Sequence, residues 1–390
     1  MRLYFLSGAK TPRLVYEMQA LKVNVGGIER MAPKGESLVF KVSGLTNAAA
    51  LILKQAFLSK GGEVALSHDA VLGVTHEQTA LLLATPAQYR DICGGLSAQP
   101  FGLAALACKL LAALEALNSA PASMPYRARY QRGELNFNRP LIMGIANITP
   151  DSFYDGGRYH TLPAAVEHIF AMAEAGADII DIGAASSRPG HTPLSAAEEL
   201  KRLLPVLERV APTLRLPISV DTDQAKVAEA ALANGAAIIN DISGLNADMA
   251  RLVAASGAPA VLMHQGGGGA AIVETVTDFF HDSLARAEAA GVKREQLILD
   301  PGFGFGKDMA ENLLLLRHLE DLRSLNRPLL VGVSNKRFIG EASNTLLDER
   351  DAANIAASTW ALMRGAAIIR THDPKPLREA ALMIAALNDI

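Results

Sequence analysis

The stretch Leu141-Ile-Met-Gly-Ile-Ala-Asn147 is an almost continuous apolar run that ends in an amide side chain. Strands that are apolar throughout are typical of a parallel sheet covered on both faces. Seven further runs of this kind follow at residues 178–182, 217–221, 237–240, 259–264, 296–300, 328–334 and 367–370. The intervals between them are rich in alanine and leucine and are long enough for helical crossovers. The sequence therefore predicts an α/β fold with a (β/α)8 TIM barrel, and a doubly wound open sheet is the lesser alternative.

A second, smaller domain is expected before the barrel, because 390 residues exceed one typical domain. Residues 1–120 predict a small α/β domain, and residues 138–390 contain the barrel. In the small first domain, the expected strands are residues 37–42, 63–66 and 79–84, and the expected helices are residues 47–59, 86–93 and 101–117. Residues 121–137 carry small residues, prolines and then charges, which predicts a linker.

Composition excludes several classes of function. A net charge of −3, with 50% hydrophobic and 20% charged residues, gives no general attraction to nucleic acid or to an anionic membrane. The two cysteines, Cys93 and Cys108, both fall in predicted helices, so neither a disulfide framework nor a cysteine zinc site is expected. Without a leader-like start or a membrane-length apolar stretch, we expect a cytoplasmic protein.

The polar residues that close the apolar runs are the candidate functional residues. In a TIM barrel the carboxyl ends of all strands meet at one mouth, where the active site lies. These residues are Asn147, Asp181, Asp221, Asn240, Asp241, His264, Asp300, Ser334, Lys336, Arg370 and His372. Carboxylates and amides can bond the edge of a nitrogen heterocycle, and the basic residues of the last two strands can hold phosphate.

Any one of these residues has an ordinary alternative role, because an Asp or Asn after a strand is often a helix cap or a turn former. For Asp181 the alternative is a buried, hydrogen-bonded position beneath the mouth, and for Asp241 it is a cap of the next helix; neither is included among the candidate catalytic residues. Because a polar residue closes every one of the eight apolar runs, a shared site is still favoured.

The motifs after the strands resemble those of the dihydropteroate synthases. The stretch Gly144-Ile-Ala-Asn-Ile-Thr-Pro-Asp-Ser-Phe-Tyr-Asp-Gly-Gly157 is similar to the family's first signature. Further matches follow in order at residues 176–183, 187–190, 219–222, 239–244, 299–307, 334–340 and 370–373. The resemblance covers about residues 138–390, and the first domain resembles the extension carried by longer members.

The resemblance implies a role for each matched residue. Asp221, Asn240, Asp300 and Lys336 would bind the pterin. Ser187, Arg188 and Ser334 would lie near p-aminobenzoate. Asn147, Arg370 and His372 would meet the pyrophosphate, Asn147 through Mg²⁺, which prefers oxygen ligands.

The implied reaction joins a pterin pyrophosphate to p-aminobenzoate. The carbon–oxygen bond to pyrophosphate breaks, positive charge develops on the pterin methylene, and the aromatic amine attacks without a covalent enzyme intermediate. The residues expected to act in this step are Asp221, Lys336, Arg370 and His372. The expected partners are the two small substrates, and we expect a homodimer formed through the barrel.

Three departures from the family pattern bear on this expectation. Ala185-Ser-Ser-Arg replaces the usual Glu-Ser-Thr-Arg, Ser334-Asn-Lys replaces Ser-Arg-Lys, and Met263-His-Gln-Gly is one residue shorter than usual. They bear on p-aminobenzoate affinity and loop geometry more than on pterin binding. A methyltransferase that binds a pterin, and a catalytically weak regulatory relative, are the alternative functions.

Overall fold

A computed structural model of the chain describes residues 11–68, 70, 77–118, 127–148, 161–185 and 194–388. The chain divides into two compact units, residues 1–115 and residues 116–390. No helix among these described residues is both long enough and apolar enough to cross a membrane.

The first unit contains the six elements that the sequence predicts, each within a few residues of its expected bounds. Two further helices precede them. In chain order the elements are α1 (Thr11–Ala20), α2 (Val25–Met31), a 3-10 helix (Ala32–Gly35), β1 (Leu38–Leu45), α3 (Asn47–Leu58), β2 (Glu63–Leu66), β3 (Gln78–Ala84), α4 (Pro86–Leu96) and the start of α5 (Leu103–Asn118). The three strands form an antiparallel sheet in the order β1-β3-β2.

Local signals in the sequence explain where these helices begin. The Thr46 hydroxyl accepts the backbone N–H of Ala49 at the start of α3, and Thr85 and Gln88 form a capping box at the start of α4. Tyr89 is fully buried, and its hydroxyl donates to the carbonyl of Leu82 over 2.7 Å. Helix α4 is thereby tied to the central strand of the sheet.

The second unit is a closed barrel of eight parallel strands, as the sequence predicts. The strands are β6 (Leu141–Asn147), β7 (Ile179–Gly183), β8 (Ile218–Asp221), β9 (Ile238–Asp241), β10 (Ala260–Met263), β11 (Leu297–Asp300), β12 (Leu329–Val331) and β13 (Ala366–Thr371). The helices are α6 (Leu162–Glu174), α7 (Ala196–Val210), α8 (Ala225–Ala233), α9 (Ala247–Ser256), α10 (Ile272–Ala289), α11 (Met309–Arg317), α12 (Arg337–Ser343), α13 (Asp351–Met363) and α14 (Pro374–Asn388). Short 3-10 helices lie at Gly269–Ala271, Arg294–Gln296, Leu319–Leu325 and Leu347–Glu349.

The alternation of side chains along each strand separates the barrel interior from the surrounding layer of helices. Ile179 of β7 lies in the interior cluster, whereas Ile180 and Ile182 pack with residues of α6 and α7. Similar interior positions are filled by Met143, Ile238, Val261, Ile298, Leu330 and Ile368. The lower half of the barrel is therefore packed with side chains and is not a channel.

The segment predicted as a linker contains a β-hairpin. Strands β4 (Arg127–Tyr130) and β5 (Gly133–Asn136) pair antiparallel, and residues 119–126 lie outside the described residues. Ala128, Leu135 and Phe137 are buried in the same cluster as the interior barrel residues. This hairpin covers the amino-terminal end of the barrel and excludes water from it.

Candidate active site

Side chains along a strand alternate between the barrel interior and the helices. The position of a residue in this alternation, its parity, decides which of the polar strand-closing residues face the mouth. In β9, Ile238 belongs to the interior cluster and Ile239 packs on the helix side, so Asn240 faces the interior and Asp241 faces the helices. The Asp241 carboxylate accepts the backbone N–H of Ser243 over 2.7 Å. It shapes the turn before α9 but does not cap that helix, because the cap is Asn246, whose side chain accepts the backbone N–H groups of Asp248 and Met249.

His264 also lies on the helix side and not in the mouth. It is buried, and its ring meets Phe279 of α10 edge to face with the ring centroids 4.9 Å apart. Burial lowers the pKa of His264 to about 4, so the ring is neutral. The expectation that His264 joins the other strand-closing residues at the mouth is wrong, since its parity is that of the outward-facing Leu262.

Arg370 lies at the centre of a buried network at the mouth. Its Nε donates to Asp181 Oδ2 over 2.7 Å, and its Nη2 donates to Asp221 Oδ2 over 3.0 Å. Asn240 Nδ2 donates to the same oxygen of Asp181 over 3.1 Å. Asp181 is completely buried, so its carboxylate fixes the orientation of both the guanidinium and the amide.

Burial and neighbouring charges shift the pKa values within this network. Burial alone would lower the pKa of Arg370, but the attraction of Asp181 and Asp221 outweighs it, and the pKa is raised. Burial raises the pKa of Asp221 to about 7, with Asp181 adding repulsion and Arg370 opposing it. Arg370 is therefore a permanent cation, whereas Asp221 titrates near neutral pH.

Asp300 and Lys336 form a second part of the mouth. Asp300 Oδ1 accepts the backbone N–H of Gly302 over 2.7 Å, and burial raises its pKa. Lys336 Nζ lies 4.2 Å from the ring centroid of Phe305, a cation–π contact. Burial, helped by repulsion from Arg370, lowers the pKa of Lys336 to about 8. The mouth thus offers both an acceptor and a cationic donor that are held away from bulk water.

The last two strands bring Ser334 and His372 together, with Ser334 Oγ 3.0 Å from His372 Nδ1. On the strands that follow around the barrel, β6 to β8, Asn147 and Asp221 flank Gly183. A side-chain carbon at Gly183 would stand 3.4 Å from Asn147 Oδ1 and 3.8 Å from Asp221 Oδ2. The absence of that carbon leaves a space faced by two acceptor oxygens, which suits a hard cation or a hydrogen-bond donor of a substrate.

Comparison with known proteins identifies the family to which these residues belong. Residues 143–372 match the family model described as pterin binding enzyme. A dihydropteroate synthase that is 42% identical to the chain matches it over 94% of that enzyme's own length. The chain belongs to the dihydropteroate synthase family.

Three relatives illustrate the extent of this family likeness. Dihydropteroate synthase of Escherichia coli is 42% identical over 266 residues, covering 66% of this chain and 94% of the relative. A Halobacterium salinarum protein, named a probable bifunctional folylpolyglutamate synthase/dihydropteroate synthase, is 40% identical over 94% of this chain, which spans 45% of that relative. Xanthomonas albilineans dihydropteroate synthase, solved with 4-aminobenzoic acid, is 42% identical with a TM-score of 0.63, covering 66% of this chain and 96% of that one.

Two of the site residues matched to dihydropteroate synthases, Ser187 and Arg188, lie outside the described residues. The structure places the other matched residues around the one mouth formed by the strand ends. Arg370 differs from the expectation in one respect: two of its nitrogen atoms bond carboxylates of the protein.

Sequence reasoning missed how the dihydropteroate synthase mouth is supported. Asp181 is not among the catalytic candidates that the sequence indicates, yet its carboxylate holds both Arg370 and Asn240. Lys307 Nζ donates to the carbonyls of Gly302, over 2.8 Å, and Phe305, over 3.4 Å. Lys307 therefore fastens the glycine-rich loop after β11. Strand parity identifies Asp181 as inward-facing, whereas no motif identifies the role of Lys307.

Proposed function

We propose that this chain condenses 6-hydroxymethyl-7,8-dihydropterin pyrophosphate with p-aminobenzoate to give 7,8-dihydropteroate and pyrophosphate. The observation that carries the proposal is the set of Asp221, Asn240, Asp300, Lys336 and Arg370 at the mouth of a closed barrel, in which Asn240 and Asp300 are buried and the other three are half-buried. The names of the E. coli and X. albilineans relatives, and the 4-aminobenzoic acid of the latter, support the same reaction.

The pterin ring suits the acceptors and donors of the mouth. Its 2-amino and N3 hydrogens need a carboxylate, which Asp300 supplies, and Lys336 supplies a donor for ring acceptors. Because these groups are largely withdrawn from water, a ligand without matching donors would leave them unpaired at a cost of about 1–3 kcal/mol each. This favours a ring with a fixed pattern of donors and acceptors.

The chemical step needs separation of charge and no covalent nucleophile. The carbon–oxygen bond breaks with its electron pair leaving on pyrophosphate, and the methylene carbon gains positive charge. Arg370 and His372 would stabilise the leaving anion, and the Asp221 carboxylate would offset the positive charge. The amine of p-aminobenzoate then forms the new carbon–nitrogen bond and loses a proton. Ser334, and the matched Ser187 and Arg188, would position this second substrate.

Magnesium is proposed as the cofactor, held by Asn147. The space beside Gly183, faced by Asn147 Oδ1 and Asp221 Oδ2, fits an ion that takes oxygen ligands. Bound there, the ion would supply positive charge that offsets the charge of the diphosphate. The residues of the chain would orient the diphosphate toward Arg370 and keep water away from the methylene carbon.

We propose a homodimer through the barrel, because α13 and α14 carry exposed apolar side chains. They are Trp360, Met363, Leu382, Met383 and Leu387. Sedimentation of the purified chain measures the subunit number. Both cysteines are free, which suits the cytoplasmic location expected from the sequence.

Turnover of the two substrates by the purified chain tests the main proposal. We expect pyrophosphate release that requires both substrates and falls at least ten-fold after complete chelation, with activity restored by added Mg²⁺. The pterin pyrophosphate without p-aminobenzoate is the control for simple hydrolysis. Tight pterin binding without turnover would instead support the regulatory alternative, and undiminished turnover after chelation would contradict the metal role.

A further inference from the structure

The turn between β12 and α12 carries two of the mouth residues on either side of a single strained position. Ser334 and Lys336 both contribute to the mouth, and Asn335 between them adopts a φ of +58°. This left-handed conformation is costly for most residues and is tolerated best by glycine and asparagine. The direction in which Ser334 and Lys336 point therefore depends on what holds Asn335 in this conformation.

Asn354, in the first turn of α13, holds Asn335 with two hydrogen bonds. The backbone N–H of Asn335 donates to Asn354 Oδ1 over 3.0 Å, and Asn354 Nδ2 donates to Asn335 Oδ1 over 2.7 Å. Because a backbone N–H can only donate, the atom of Asn354 that faces it must be the oxygen. The amide orientation, and hence the reciprocal second bond, follows from that requirement.

A further contact comes from the residue that precedes α13. Arg350 Nη1 donates to the carbonyl of Lys336 over 3.4 Å, and the guanidinium lies so close to Gly340 that a side-chain carbon there would overlap it. Within the turn, the Lys336 N–H donates to the carbonyl of Val333 over 3.2 Å. The start of α13 thus supports the turn at two successive residues.

We propose that Asn354 is a positioning residue, which through its paired hydrogen bonds with Asn335 aims Lys336 and Ser334 into the mouth. The inference rests on the proposed function, in which Lys336 binds the pterin. It also gives a physical account of Ser334-Asn-Lys336 where the family usually has Ser-Arg-Lys. An asparagine accepts the left-handed backbone readily, and its short amide reaches the amide of Asn354.

The environment of Lys336 provides a readout that a purely structural role for Asn354 would not affect. The ammonium lies over Phe305, and the charges of Asp300, Asp221 and Arg370 are close enough to shift its pKa. Burial lowers the pKa of Lys336 to about 8. If the turn loosens, the ammonium gains water and its pKa rises toward the ordinary value of a lysine. The alkaline limb of the pH profile should then move to higher pH.

The test compares Asn354→Ala with Asn344→Ala. Asn344 ends α12 in a similar left-handed conformation, with a φ of +54°, but it is exposed and lies outside the mouth. We expect Asn354→Ala to weaken binding of the unphosphorylated dihydropterin in calorimetry, and to raise KM for the pterin pyrophosphate, by roughly five- to twenty-fold. The alkaline limb should move up by about half a pH unit or more. Asn344→Ala should leave all three unchanged.

Asn335→Gly separates the backbone conformation from the amide pair, because glycine adopts a positive φ without strain but lacks the side-chain acceptor. We expect Asn335→Gly to cause an intermediate loss of pterin affinity. Adding Asn354→Ala to this variant should reduce the affinity by less than Asn354→Ala reduces it in the native chain. Thermal melting checks that every variant folds. Unchanged pterin affinity, KM and pH profile in folded Asn354→Ala would overturn the inference. Absence of turnover by the native chain would instead count against the proposed function, and calorimetry would still decide the role of Asn354.

Discussion

The two ends of the barrel are built from the same eight strands, yet their interior side chains differ in kind. At the amino-terminal end, aliphatic residues such as Ile179, Ile238 and Ile298 pack beneath Phe137 and Leu135. Two residues further along the same inward face, at the carboxyl-terminal end, stand Asp181, Asn240 and Asp300. One step of strand alternation therefore changes the interior from apolar packing to a charged site.

This difference shows how the molecule separates stability from chemistry. Burial of apolar surface at the closed end favours folding by about 25 cal/mol per Å². At the open end, charges are withdrawn from water, and each depends on its partners for compensation. Loss of a side chain should therefore have different consequences at the two ends.

The largest effect is expected for Arg370→Ala. It would leave Asp181, which is completely buried, and Asp221 without their cation. Removal of one partner from a buried ion pair costs about 3–5 kcal/mol of folding stability. We also expect binding of the pterin pyrophosphate to fall below detection in calorimetry. Urea unfolding at neutral pH measures the first loss.

Phe137→Ala is the matched control at the closed end. Truncation of a fully buried phenylalanine costs about 3–5 kcal/mol, a similar loss of stability that arises from a cavity and not from an unpaired charge. Pterin affinity should stay within about two-fold of the native value, because Phe137 packs at the opposite end of the barrel. Equal loss of ligand affinity in both variants would show that the two ends are not independent.

The sequence predicted the barrel because the signal is repeated eight times and each repeat ends in a polar residue. Parity within each strand carried further information: it separates the inward Asn240 and Asp300 from the outward Asp241 and His264. The sequence did not reveal the hairpin at residues 127–136, because its charged residues alternate with Ala128 and Leu135, and a proline-containing stretch followed by charges resembles a linker.

Pairings across the barrel could not be predicted in the same way. Arg370 and Asp181 are 189 residues apart, and only the closed sheet shows that their side chains meet. Asn354 lies in a stretch of alanine-rich helix without a motif, so its contact with Asn335 depends on how α13 packs against the turn. Such supporting contacts follow from three-dimensional geometry, whereas the strand-closing residues follow from one-dimensional order.

A smaller effect, confined to the ligand, is expected for Asp300→Asn. An amide presents one acceptor oxygen and turns an NH2 group toward a ring edge that is itself donating. Pterin affinity should fall by about 1–3 kcal/mol in calorimetry. Asp241→Asn is the control, because Asp241 is equally buried but faces the helices. It should lose stability and keep its pterin affinity; unchanged affinity in Asp300→Asn would remove Asp300 from the site.

The smallest predicted effect is a pH dependence that belongs to the open end alone. The pKa of Asp221 is raised to about 7 and that of Lys336 is lowered to about 8. We expect kcat/KM to fall below about pH 7, where Asp221 gains a proton, and above about pH 8, where Lys336 loses one. Asp221→Asn should be less active throughout and should lack the acid limb. A native profile that is flat between pH 5 and 7 would contradict the assignment.

The sign of the linked change in stability gives an independent check. Between its ordinary pKa near 4 and its folded pKa near 7, Asp221 holds a proton in the folded chain that the unfolded chain releases. Stability from this group is therefore greatest at low pH and is lost as the pH rises through that window, opposite to an aspartate whose pKa is depressed by an ion pair. Urea unfolding between pH 4 and 7 should show Asp221→Asn gaining stability relative to the native chain as the pH rises. Phe137→Ala, which removes no titrating group, should show a constant difference from the native chain over the same range. A constant difference for Asp221→Asn as well would mean that Asp221 is ionised throughout, and the acid limb would then belong to another group.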